Sequence, residues 1–366
     1  MNVKGKRAWL ISDTHFGVRT NSHEWIEIQR QYFYDFFIPT IKKEKKPGDI
    51  LIHCGDVFES RHSVNLFVLD FAITLFEDLS KLFPEGVFII LVNHDIARKN
   101  TNEINSVKCL KWIPNIYIFE EPEIMHIAGK KALMMPWRAS VEDEAQCITD
   151  FPADFLFCHT DVKGLKFNKF TSVDAGIGIE LLNEKFRKVY SGHIHFAQEN
   201  GNFRMLGCPY QMTRSDMGND KKLWMFDFET EEETSYLNTL SPKFVKVLFE
   251  AVLDMEMDQF RTFIKNNFVD VLVDPKWSMN FPFSQFTEEL EGFRRLEFVP
   301  RMGEVDEDGN LIDPGSADQI DILTMAEKLI ETTAHSEEVK ARLVETMKNL
   351  YAKAQKEEED DDEDAV

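Results

Sequence analysis

Cysteine is scarce in this chain of 366 residues: Cys54, Cys109, Cys147, Cys158 and Cys208 are the whole supply. Their number is odd and no two form a C-x-x-C pair. Neither a disulfide framework nor a cysteine-based structural zinc site is expected, and a reduced cytoplasmic setting is. Long apolar runs are missing too. Nothing reaches the length that spans a bilayer, so no membrane association is expected. Residues 1–7 are basic but lead straight into a strand, and read as no signal peptide. Positive charge is short: 42 Lys and Arg face 64 Asp and Glu, for a net charge of −22. That balance argues against a broad basic surface for nucleic acid. Part of it is the acidic run 357–364, read as a solvated, disordered tail over 355–366. Phe is abundant at 31 residues. It is not interleaved with basic residues as a base-stacking platform would be, and reads as core. No internal repeat is present.

What the chain does have is a set of short apolar runs that each end in chemistry. Trp9-Leu10-Ile11 runs into Ser12-Asp13-Thr14-His15. Ile50-Leu51-Ile52 precedes Gly55-Asp56, and residues 87–92 precede Asn93-His94-Asp95. Residues 153–158 precede His159, and Val189-Tyr190 precedes Gly192-His193-Ile194-His195. Such runs read as buried strands. Ligands of α/β sheets collect beyond the carboxyl ends of the strands, so these residues can converge on one place.

Helical spacing fills the gaps. Residues 24–38 carry Trp25, Ile28, Tyr32 and Phe36 on one face, with Pro39 ending or kinking the helix. Residues 65–83 form a second helix, ended by Pro84-Glu85-Gly86. The β-α-β-α-β order implies parallel strands covered by helices. A helix is expected over 102–111, strands near 116–119 and over 124–135, a short helix over 142–148 and a strand over 155–158. Residues 203–206 and 223–228 read as strands. Beyond Asp227 the composition shifts. Residues 244–252 read as a strand, 255–267 as a helix, 269–273 as a strand and 284–293 as a helix, which suits a small α+β domain. Residues 302–315 read as a polar linker with Gly303, Gly309, Pro314 and Gly315. A helix follows from about Ala317, then a last helix capped by Ser336 with an apolar stripe of Val339, Leu343, Met347 and Leu350.

Asp13, His15, Asp56, Asn93, His159, His193 and His195 form a ligand set of imidazoles, carboxylates and one amide oxygen. It suits Mn²⁺, Fe²⁺ or Zn²⁺ better than Ca²⁺. Seven groups exceed one ion and suffice for two. Asp56 is the natural bridge, since a carboxylate has an oxygen for each metal. Two ions about 3.5–4 Å apart clamp the attacking and leaving oxygens of phosphoryl transfer. A lone Asp at a strand end usually caps a helix, and a lone His is usually packed or solvated. The joint pattern is what favours the metal reading.

Asp13-Thr14-His15, Gly55-Asp56, Asn93-His94-Asp95, His159 and Gly192-His193-Ile194-His195 resemble the signature of the calcineurin-like metallophosphoesterases. Asp13-Thr14-His15-Phe16-Gly17, Gly55-Asp56-Val57-Phe58 with Arg61, Met135-Pro136-Trp137 and Leu206-Gly207-Cys208-Pro209 are similar to its DNA-repair nuclease branch. That branch holds the bacterial SbcD type, the nuclease of the MRN complex and the recombination endonuclease subunits of T-even-like phages. Glu24-Trp25-Ile26 and Leu223-Trp224-Met225-Phe226-Asp227 look most like the phage members. The resemblance covers about 1–230. It implies an α/β fold, a four-layer β-sandwich flanked by helices, with a small α+β cap domain and C-terminal helices. The implied domains are a nuclease domain over 1–240, a cap or DNA-binding domain over 241–300, a linker over 301–315, a helical partner-binding segment over 316–354 and the acidic tail. One metal would take Asp13, His15, Asp56 and His195, the other Asp56, Asn93, His159 and His193. His94 would be the non-ligand catalytic histidine. Val92 departs from the family, which has Gly there. Glu59 stands where relatives have His or Asp, and is a candidate catalytic partner for His94; a solvated loop acid is the plain alternative.

The implied activity is a two-metal, Mn²⁺-dependent DNA nuclease, exonuclease and endonuclease, working through a metal-bridging hydroxide in recombination and repair. The implied partners are DNA, an SMC-like coiled-coil ATPase docked on 316–354, and a second copy in a homodimer within the complex. The cytoplasm would be the host's if a phage encodes the chain. The alternative is a metallophosphoesterase for a small phosphoester or phosphoprotein. It is disfavoured because Gly55-Asp56 is not followed by the Asp-Arg-Gly of protein phosphatases. A scaffold without catalysis is disfavoured by the complete ligand set. Arg61, Arg98, Lys99 and Arg138 are candidate phosphate contacts, with ordinary surface charge as the plainer reading. His53, inside a strand, reads as core or as support behind the ligands.

Overall fold

The computed structural model describes residues 1–98, 101–138, 140–169, 171–274, 296–300, 330, 336 and 339–348. The expected helix at 284–293, the linker 302–315 and Lys99 lie outside them. The chain divides into two compact units, Met1–Arg301 and Met302–Val366.

Two sheets form the centre of the first unit. One has six strands in the order Glu233–Leu237, Lys222–Asp227, Arg7–Ile11, Ile50–His53, Val87–Ile90 and Ile116–Phe119. Its four strands from Arg7–Ile11 to Ile116–Phe119 are mutually parallel, as right-handed βαβ units require. The other has seven strands, with Phe155–His159 and Lys188–Gly192 parallel at its middle. Alternation along each strand sends side chains to opposite faces. Leu10, Ile52, Phe88 and Ile90 therefore meet Met134, Phe155 and Phe157 of the other sheet in a shared core. Trp9, Ile11, Leu51 and Ile89 face the other way, into helices His23–Gln31 and Leu66–Leu82. Val141–Asp150 and Ile179–Lys185 cover the outer face of the seven-stranded sheet. The result is a helix–sheet–sheet–helix sandwich. Each large apolar side chain sealed inside it contributes about 1.5–3 kcal/mol.

Local chemistry explains several boundaries. Asn65 caps Leu66–Leu82 by accepting the Phe67 N–H, and Ser140 caps Val141–Asp150 in the same manner. Pro39 does not end its helix. A π-helical stretch, Tyr32–Phe37, comes first, and Pro39 then stands in the first turn of Ile38–Glu44, where no N–H is needed.

Two expectations are corrected. Residues 102–111 are not a helix: Thr101–Asn105 pairs with Ile96–Arg98 as a hairpin, and Ser106–Leu110 is a 3₁₀ turn. Asn105 spends its side-chain amide on the carbonyl of Asn102, a local competition that disfavours helix, while Asn102 donates to the distant carbonyl of Glu120. Residues 244–252 are not one strand. Phe244–Leu248 is the strand and Phe249–Leu253 a short helix, whose Phe249 and Val252 pack back onto the sheet.

That strand joins Phe268–Val273 and Leu296–Pro300 in a three-stranded parallel sheet. Phe268 stacks between Trp25 at 5.5 Å and Phe244 at 4.7 Å, so the small sheet is fused to the main core. In the second unit, residues 339–348 are helical, and Val339 and Leu343 are 42% and 41% exposed.

Candidate metal centre

The loops after Arg7–Ile11 and Ile50–His53 are tied to each other by backbone hydrogen bonds. Asp13 N–H donates to Gly55 O at 3.0 Å, His15 N–H to Asp56 O at 3.0 Å and Phe16 N–H to Val57 O at 2.8 Å. His193 N–H donates to Asp13 Oδ1 at 2.9 Å, which brings in the loop after Lys188–Gly192. Gly192 has to be glycine: a Cβ there would sit 1.9 Å from Ser12 Oγ and 2.8 Å from His159 Nδ1. Four predicted ligands, Asp13, His15, Asp56 and His193, have left-handed backbone with φ of 53°, 44°, 55° and 93°. Such conformations cost energy in L-residues and persist only where the surroundings impose them.

The imposition at Asp13 to His15 comes from two residues that the sequence reading passed over. Gln29, fully buried, donates Nε2 to the carbonyls of Thr14 and His15 at 3.1 Å each, and Tyr210 donates its hydroxyl to Thr14 O. Gln29 stands four residues after Trp25, on the apolar face of the helix. A polar residue on that face was the available signal. His53 accepts the Gly55 N–H at Nδ1, so its Nε2 carries the hydrogen and reaches Thr14 Oγ1 at 3.0 Å. It supports the loops and is not a ligand. Asp95 accepts the Val57 N–H at 3.2 Å and so ties the Asn93 loop to Asp56.

Five of the predicted ligands, Asp13, His15, Asp56, His159 and His195, then converge. Asp13, His15 and His195 offer atoms within 4.8 Å of one another, and so do Asp13, Asp56 and His159. Asp56 Oδ2 lies 3.5 Å from His15 Nε2 and 3.3 Å from His159 Nε2, between one ligand of each predicted ion. His15 Nε2 and His195 Nε2 face each other at 3.1 Å. The tautomers suit ligation. His159 Nδ1 lies 2.8 Å from Cys54 O, a carbonyl that can only accept, so Nε2 keeps its lone pair. His193 Nε2 contacts Asp161 Oδ1 at 3.1 Å, which leaves Nδ1. Asp161, two residues after a predicted ligand, was also missed. Asn93 follows Val87–Ile90 at the same edge.

A cation fits this donor set. Asp13 Oδ2, Asp56 Oδ1 and Asn93 Oδ1 are buried oxygens with no hydrogen-bond partner among the described residues. Buried acceptors left unpaired are costly, and a cation would satisfy them. The electrostatics agree. Burial pushes the Asp56 carboxyl up, but His159 and His15 outweigh it and hold it well below the usual range. Burial pushes His15 down, yet Glu59, Asp56 and Asp13 raise it to about 9; His159 likewise reaches about 9 through Asp56 against the effect of burial. The cluster attracts positive charge, and metal ions compete with protons for the same lone pairs.

Glu59 does not pair with His94 through its carboxylate. Its Oε2 lies 2.6 Å from His15 Nδ1, while its backbone carbonyl is 3.3 Å from His94 Nδ1. The nearer imidazole wins because it sits among carboxylates that favour its charged form. His94 packs edge-on against His15 with ring centres 5.5 Å apart. Val92 is buried against Gly55, in the space that a side chain there would need. Of the candidate phosphate contacts, Arg138 is paired with Glu121 at 3.2 Å and Arg61 is partly exposed.

A family model for calcineurin-like phosphoesterases matches residues 6–197, more than half of the chain. The chain belongs to the calcineurin-like phosphoesterase family. It is also similar to Exonuclease subunit 1 of Enterobacteria phage T4, at 29% identity over 227 residues. That match covers 60% of this chain and 64% of the T4 protein, so it spans less than two thirds of the relative. Among solved structures, an archaeal phosphodiesterase aligns with a TM-score of 0.33 and 14% identity, over 63% of this chain and 99% of its own. A protein of unknown function from Aquifex aeolicus aligns with a TM-score of 0.25 and 19% identity, over 42% of this chain and 79% of its own. Calcineurin-like phosphoesterases use divalent metal ions, and the Asp13–His195 cluster offers donors that could hold one. No described helix is long and apolar enough to cross a membrane.

Proposed function

We propose that this calcineurin-like phosphoesterase is a two-ion DNA nuclease and the nuclease subunit of an SbcCD- or MRN-like recombination and repair complex. The observation that carries the reading is Asp56, with Oδ2 set between His15 and His159 and Oδ1 buried without a partner among the described residues. Asp13, His15, Asp56 and His195 would hold one ion, and Asp56, Asn93, His159 and His193 the other, Mn²⁺ being the first choice. Bound there, two divalent ions supply an activated water and neutralise charge on the phosphoryl oxygens. The chain's own residues do the rest. Glu59 O can only accept, so His94 Nδ1 carries hydrogen and Nε2 is left to exchange a proton with the leaving oxygen. Gln29, Tyr210 and His53 hold the strained loops, so no reorganisation is needed when substrate arrives.

A relative named as an exonuclease subunit supports a nucleic-acid diester as substrate and a second subunit as partner. The partner reading adds an SMC-like ATPase on the C-terminal helical segment and a homodimer within the complex. Hydrolysis of a bis-aryl phosphodiester and of linear DNA, each with and without Mn²⁺, tests the activity. Mn²⁺-dependent cleavage of both supports the nuclease. Cleavage of the small diester alone would return the chain to the small-phosphoester reading. Crystals grown with Mn²⁺ should show two anomalous peaks, and one peak would defeat the two-ion site.

A further inference from the structure

The segment between the strands Phe203–Met205 and Lys222–Asp227 touches the metal cluster at one end and the three-stranded sheet at the other. At the cluster end stands Lys221, a buried lysine at 4% exposure. Its Nζ donates to the carbonyl of His195 at 2.7 Å, to Asp216 Oδ1 at 2.8 Å and to Asn219 Oδ1 at 3.1 Å. Asn219 grips Ala197, two residues on, accepting its N–H at 2.9 Å and donating to its carbonyl at 3.1 Å. The backbone around His195 is thus held by side chains of this segment. Asp216 is held in turn. Its Oδ2 accepts the N–H groups of Met212 at 3.0 Å and Thr213 at 2.9 Å, and closes a capping box on the short turn Arg214–Asp216. The first residue of that turn reaches the small sheet. Arg214 forks onto Asp270, Nε to Oδ2 at 2.7 Å and Nη2 to Oδ1 at 2.7 Å. Asp270 is 6% exposed, in the middle strand Phe268–Val273.

A buried lysine–carboxylate pair is an expensive way to stabilise a fold, because desolvating both ions can cost more than their attraction returns. Apolar residues would fill the space as well. The pair does what apolar residues cannot: it fixes the direction of one carbonyl, that of a predicted metal ligand. We propose that Asp216 and Lys221 are positioning residues for His195, and that the Arg214–Asp270 pair ties this brace to the three-stranded sheet. The inference rests on reading His195 as a metal ligand. Whatever shifts the sheet then shifts affinity for the ion that His195 holds. By linkage, that ion tightens the sheet by the same factor.

The test starts at the sheet end. Lys221→Met would strand Asp216 without its partner and endanger the fold. Arg214, 39% exposed, can be changed more safely. In the full chain, Mn²⁺ binding is measured by calorimetry for wild type, Arg214→Gln, Asp270→Asn and the double variant. One of the two Mn²⁺ sites should weaken about 5- to 10-fold in each single variant, a typical coupling. The double variant should be no worse than the singles, since both remove one contact. Amide exchange over 268–273 should slow by a similar factor when Mn²⁺ is added to wild type, and should not in Arg214→Gln. A lowered melting temperature with unchanged Mn²⁺ affinity would mean that the pair only staples the fold, and the proposal fails. Exchange in 268–273 that ignores Mn²⁺ defeats it as well. His195→Ala serves as the control. If it binds both ions as wild type does, the ligand assignment is wrong and the proposal falls with it, by a route distinct from the other two.

Discussion

Histidine does four different jobs within a few ångströms, and hydrogen bonding sorts them. His159 gives Nδ1–H to a carbonyl and keeps Nε2 for a cation. His15 has Nδ1 against Glu59 and Nε2 against Asp56. His94 sets Nδ1 against the Glu59 carbonyl and leaves Nε2 open, which suits a proton carrier. His94→Ala should therefore keep metal and fold while losing about 10²–10⁴-fold in turnover, the usual share of a positioned acid–base group. Near wild-type hydrolysis of a bis-aryl diester would remove it from the mechanism. His53 is the fourth case. Burial lowers it from 6.5 to about 4. Above pH 6.5 neither folded nor unfolded chain binds the proton, and His53 costs nothing. As pH falls from 6.5 towards 4, the unfolded chain takes up a proton that the folded chain refuses, and stability drops about 1.4 kcal/mol per unit. His53→Gln keeps an acceptor for Gly55 and a donor for Thr14 but does not titrate. Between pH 7 and pH 5, wild type should lose about 2 kcal/mol more than the variant in denaturant unfolding. Equal losses would show that His53 takes its proton without unfolding.

At the scale of elements, what the sequence made legible depended on how local the cause was. The strands that end in Ile11, His53 and His159 were legible because apolar runs met turn chemistry, and the helix that Asn65 caps was legible from its apolar spacing. The 96–105 hairpin was not, because the Asn105 side chain claimed the Asn102 carbonyl that a helix pattern needed. Candidate ligands could be named from the residues that end the apolar runs. The contacts behind them could not: Gln29 and Tyr210, Lys221 and His195, and Arg214 and Asp270 all meet across long sequence separations. Val92 is intermediate. Its departure from the family's Gly was visible, but not that its side chain would occupy the space above Gly55. A Cβ on Gly55 would lie 2.3 Å from Val92 Cγ1, and Gly55 has φ of 94°. Gly55→Ala should cost about 1–2 kcal/mol for its backbone and about 1–3 kcal/mol more for overpacking. Adding Val92→Gly should recover only the second part. Full recovery in the double variant would mean that the left-handed backbone carries no strain.

At the scale of the whole molecule, the ligands and the helix at 339–348 lie in separate compact units, with no predicted ligand beyond His195. The helix presents Val339 and Leu343 to solvent, with Met347 partly covered; Leu350, the fourth member of the expected stripe, lies outside the described residues. Apolar side chains left open at helical spacing suit a groove in another protein. Burying a Leu or Met in such a contact is worth about 1.5–3 kcal/mol each. Leu343→Asp with Met347→Asp would remove that gain and add two charges to desolvate. The pair should abolish binding to the proposed ATPase subunit, since every 1.4 kcal/mol lost is a tenfold loss in affinity. Mn²⁺-dependent hydrolysis of a small diester should continue at the wild-type rate. If the stripe instead packs within the protein itself, the same double variant should melt lower and aggregate. A pull-down run beside a melting curve separates the two. Partner binding that survives in a destabilised protein would overturn the docking role of this helix.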